Sequence, residues 1–89
     1  MLRLEVIEQS KSATYSMSLN PNSIITMRPR ENDPQSRLCI RELNGMNVES
    51  QEFTEITYSL GTQTKTVLAV GSYSEIMSRL NHTRRLLHG

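Results

Sequence analysis

Apolar and polar side chains alternate twice within the first twenty residues. Leu2, Leu4 and Val6 are separated by Arg3 and Glu5, and Tyr15, Met17 and Leu19 by serines. Both runs have the two-residue period of a half-buried strand. The polar link Gln9-Ser10-Lys11-Ser12 has hairpin length, which predicts that the two strands pair antiparallel. Asn20-Pro21-Asn22-Ser23 suits a turn. The run Ile24-Ile25-Thr26-Met27 then predicts a third strand, ended by Pro29. Residues 28–36 hold two prolines, four charges and no apolar side chain, the composition of an exposed loop that neither pairs nor buries itself. Over 37–43 the strand pattern resumes with Leu38 and Ile40 on one face and Cys39 on the other, and Asn44-Gly45 signals a tight turn.

Residues 46–55 are compatible with a short helical turn, a loop or an edge strand, with Val48 and Phe53 set among Glu49, Glu52 and Glu55. Beyond them Thr54, Ile56, Tyr58 and Leu60 alternate, Gly61-Thr62 turns the chain, and 65–70 continue with Thr66, Leu68 and Val70 on one side. That is a hairpin. Past Gly71 the period lengthens. Tyr73, Ile76, Met77, Leu80 and Leu87 fall at helical spacing, and Ser72 with Glu75 has the capping-box form. The expected fold is α+β: mainly β with one C-terminal α-helix, a small antiparallel meander of about five or six strands with the helix packed on one face. No repeat or linker divides the chain, so 1–89 reads as a single small domain.

Composition narrows the class. A chain of 89 residues buries about 60 to 65% of its unfolded surface, enough for one core only. The longest apolar run, 67–70, is far short of the roughly 18 to 20 residues a membrane span needs. Glu5 and Glu8 interrupt the apolar positions where a secretory signal would be continuous. These features predict a cytoplasmic protein without membrane association. Cys39, the single cysteine, cannot close an internal disulfide, and with His82 and His88 it supplies no zinc ligand set. Small domains without such staples often gain apolar burial by self-association, so a homo-oligomer is expected.

Candidate chemistry is sparse. Cys39 within a strand reads as a small core residue. His82 and His88, six apart on a helix, point to opposing sides, and Glu49, Glu52 and Glu55 would share a face only on a helix. The isolated glycines build no phosphate loop. The chain therefore reads as a non-enzyme with no metal or cofactor. Charge says more: nine acids oppose ten bases, for a net +1, yet eight of the bases are arginine and they cluster. Arg28, Arg30, Arg37 and Arg41 lie close in sequence, as do Arg79, Arg84 and Arg85, whereas 42–55 carry four glutamates and no base. The planar guanidinium pairs bidentately with carboxylates and phosphates. Arg28, Arg30, Arg37, Arg41, Arg84 and Arg85 are accordingly the expected partner- or anion-binding residues. The leading functional reading is a small regulator or inhibitor that binds a macromolecular partner, most simply a protein, stoichiometrically. The alternative is an anionic small molecule, nucleotide or nucleic acid held by arginines clustered across subunits, against which the weak net charge argues.

Overall fold

The computed structural model describes residues 1–8, 11–33, 35, 40–48 and 51–88, with side chains through Arg84. Among these residues the chain forms β1 (Leu2–Glu8), β2 (Ala13–Leu19), a 3-10 turn (Pro21–Ser23), β3 (Ile24–Glu31), β4 (Glu42–Leu43), β5 (Met46–Asn47), β6 (Glu52–Leu60), β7 (Gln63–Val70) and α1 (Tyr73–His88). It is mainly β with one C-terminal helix packed on the sheet, as the alternation predicts. Five antiparallel strands run in the order β2-β1-β7-β6-β3, and β4 pairs with β5 in a separate small hairpin. Neighbours along the chain form the β1–β2 and β6–β7 hairpins, and a long-range contact centred on Val6 and Ala69 joins the two.

β2 and β3 occupy opposite edges of this sheet, although only residues 20–23 separate them. Five Cα steps reach at most about 18 Å even fully extended, and four strand spacings of a flat sheet need about 19 Å. The sheet is therefore coiled, with α1 touching β1, β6 and β3 on its inner side. Leu2, Leu4, Val6, Leu19, Ile56, Tyr58 and Ala69 meet Ile76 and Leu80 of α1 there, all buried. Ser72 caps the helix, its Oγ accepting from the Glu75 N–H at 3.2 Å. The Arg79 guanidinium donates to the Arg3 carbonyl and ties the helix to β1.

A second, smaller core lies on the outer face, where Ile7, Phe53 and Leu68 are covered by Ile40 and Leu43. The covering segment crosses from the end of β3 to the β1–β2 hairpin. Asn32 holds its near end: the side-chain amide donates to the carbonyls of Ile40 (2.8 Å) and Val48 (3.1 Å), and Oδ1 accepts from the Ile40 N–H (2.9 Å). The Asn44-Gly45 turn holds the far end, with the Asn44 N–H donating to the Ser12 carbonyl at 2.9 Å. Positive φ at Asn44 and Gly45 (54° and 79°) is what a tight hairpin turn requires.

Several expectations change. Pro29 does not end the third strand: β3 continues to Glu31, and Pro29 pairs opposite Thr54. β3 is an edge strand, and there a residue without an N–H costs no internal bond. Arg28 and Arg30 consequently sit on a strand, not in a loop. Glu52 and Glu55 lie on β6, three apart and so on opposite faces. Tyr15, at an apolar position of the second strand's alternation, is 45% exposed because β2 is an edge. Of the predicted 37–43 strand, Glu42–Leu43 is β4, Ile40 is buried outside any strand, and 37–39, with Cys39, fall outside the described residues.

Candidate partner-binding surface

Arg28 and Arg30 are two apart on β3, so both project from the outer face of the sheet. Across the register stand Glu55, opposite Arg28, and Phe53, opposite Arg30. Glu55 lies between the two guanidinium groups. Arg28 Nε is 3.5 Å from its Oε1, and Arg30 Nη1 is 3.2 Å from its Oε2. One carboxylate thus answers two permanent cations, leaving a local charge of about +1. The Glu55 and Arg30 side chains are partly buried, whereas the Arg28 side chain is 68% exposed. The inner pair is held in place, and the outer guanidinium keeps most of its donors in solvent.

The next position along both strands reverses the sign. Glu31 stands directly opposite Glu52, a like-charge pair that cross-strand contact disfavours. Both are exposed, which lets solvent screen the repulsion. Beside them a hollow of about 290 Å³ is lined by Arg30, Glu31, Glu52 and by Ser72, Tyr73 and Ser74 at the start of α1. The two pairs lie within four residues of β3 but on opposite faces of the sheet, the arginines with Glu55 outside and Glu31 with Glu52 on the helix side.

Of the other predicted arginines, the structure describes the side chains of two. Arg41 is exposed just before β4, and Arg84 is exposed near the end of α1. Arg37 and the Arg85 side chain lie outside the described residues. Larger hollows of about 560 and 520 Å³ occur beside Tyr15 and beside Met77, and neither is lined by a predicted arginine. Among the described residues no group of three His, Cys, Asp or Glu is placed to hold a metal ion, and no helix is long and apolar enough to cross a membrane.

Sequence reasoning missed Glu55 as the partner of Arg28 and Arg30. Alternation within 54–60 already sets Glu55 on the face opposite Ile56. What it lacks is the β3–β6 register, a pairing across 25 residues of chain. Comparison of the chain with protein-family models, with curated proteins and with solved structures finds no match.

Proposed function

We propose that this chain is a non-enzymatic interaction module, a small regulator or inhibitor that binds a protein partner stoichiometrically through the outer face of β3 and works as a homo-oligomer. The carrying observation is the Arg28-Glu55-Arg30 group on the outer face near the end of β3. Arg28 and Arg30 share Glu55 there, while Glu31 and Glu52 lie on the opposite face. A nucleic-acid backbone needs several cations in a row, whereas Glu55 leaves the Arg28 and Arg30 group a local charge of only about +1. A protein segment can set a single carboxylate against the exposed Arg28 guanidinium. Rigidity supports the same reading, since groups on a paired strand need little ordering when they bind.

The test is titration of an acidic peptide and of a single-stranded oligonucleotide of equal charge against the wild type and Arg28→Gln/Arg30→Gln. The expected result is preference for the peptide and loss of about tenfold or more in the variant, as charge-assisted bonds to two arginines disappear. Unchanged peptide binding in a folded variant would sink the reading. Preference for the oligonucleotide would replace it with the anion-binding one.

A further inference from the structure

We propose that strand β2 pairs edge to edge with β2 of a second copy of this chain, forming a two-fold symmetric dimer. The proposal deepens the self-association in the reading above and rests on it. The free edges of the sheet differ. The β3 edge carries Pro29, three charged side chains and a register shift between Ile24 and Thr26, all devices that block further strand addition. The part of β7 that precedes its contact with β1, residues 63–68, carries Lys65. β2 has none of these guards. Its seven residues, Ala-Thr-Tyr-Ser-Met-Ser-Leu, contain no charge and no proline, and it pairs with β1 in unbroken register.

The hydrogen bonds show which groups face outward. The Thr14 N–H donates to Asn44 Oδ1 at 3.3 Å instead of to β1. Antiparallel ladders alternate, so Ser16 and Ser18 turn their N–H and carbonyl to the same side. Asn44 caps the start of that edge at Ser12 and Thr14. Among the described residues no strand pairs with the remainder.

A second copy suits this edge because β2 is nearly the same read in either direction about Met17. Antiparallel pairing there sets Ser16 of one copy opposite Ser18 of the other, twice by symmetry, for about four hydrogen bonds. Met17 meets its own counterpart and Tyr15 meets Leu19, which brings an aromatic ring that is 45% exposed against apolar neighbours. No like charges oppose one another. Because the same strand serves both copies and the other edges are guarded, assembly stops at two.

Native mass by sedimentation equilibrium tests this, with an acidic peptide titrated in parallel. At about 50 μM the wild type is expected at twice the 10.2 kDa chain mass. Ser18→Pro removes an outward N–H that β1 does not use, so the fold should persist by circular dichroism while dimer dissociation becomes about thirtyfold easier. Ser18→Lys, which leaves the backbone intact, should weaken it in the same direction. A monomeric wild type, a species larger than a dimer, or an undiminished dimer in both folded variants would overturn the proposal. The β3 arginines lie on the opposite edge. A monomer that still binds peptide therefore overturns only the dimer, and a dimer blind to Arg28→Gln/Arg30→Gln overturns only the peptide reading.

Discussion

Asn32 offers the sharpest test of how the outer face is assembled. Its side chain makes three hydrogen bonds to the backbone of the covering segment, to Ile40 twice and to Val48 once. In Asn32→Ala all three vanish, and the two carbonyls and one N–H are left partly buried. At about 1 kcal/mol for each bond the loss is about 3 kcal/mol. A domain of 89 residues has about 4 to 13 kcal/mol in total, so the change is a large fraction. Asn32→Asp separates the two roles of the amide. Asp still accepts from the Ile40 N–H, but it cannot donate and sets a carboxylate against two carbonyl oxygens, so it should cost at least as much as Ala. Urea denaturation followed by circular dichroism reads the loss as a lower midpoint. Limited proteolysis should cut first within residues 32–48. Midpoints unchanged from wild type in both variants, or an Asp variant as stable as wild type, would show that the amide donors do not hold the segment.

Three further substitutions probe the junction between the sheet and α1. Gly71 has φ 127°, and a Cβ there would lie 3.4 Å from Glu75 Oε2; Gly71→Ala should lower stability by about 1 to 3 kcal/mol in a thermal melt, and a neutral result would refute the strain. Thr54, fully buried, donates through Oγ1 to the Gly71 carbonyl at 3.1 Å. Thr54→Val keeps the shape but orphans that carbonyl, so urea denaturation should show a loss of about 1 to 2 kcal/mol. Ser72→Ala removes the cap on the Glu75 N–H and should cost about 1 kcal/mol, recovered in Ser72→Asp by the same melt.

The elements that short-range patterning sets were legible. Leu2, Leu4 and Val6 against Leu19, the β6–β7 hairpin, and the Ser72 cap with Ile76 and Leu80 behind it all follow from period and turn chemistry. The failures have one cause: pairing distant in sequence. Pro29 reads as a strand end until the sheet order shows that β3 is an edge. Asn32 reads as a polar loop residue because nothing local reveals that its amide meets Ile40 and Val48, the latter 16 residues away. The candidate site divides the same way. Choosing arginines for their chemistry found Arg28 and Arg30, but their meeting at Glu55 depends on the β3–β6 register.

The sheet order also ties the two proposals together. β2 and β3 are the outermost strands on opposite sides. A dimer joined through β2 therefore leaves both β3 strands outside the junction, each carrying its own Arg28-Glu55-Arg30 group. Each copy then presents its own pair of arginines on the outer face of β3. Such a particle is bivalent. A partner displaying two acidic segments would bind the dimer more tightly than one segment binds, by about a hundredfold or more where the spacing permits both contacts. Ser18→Pro should abolish that gain while leaving the affinity for a single peptide unchanged, and surface plasmon resonance at high and low peptide density separates the two. Equal loss at both densities would mean that the β2 edge and the β3 face are not independent, and the division of labour inferred from the strand order would be wrong.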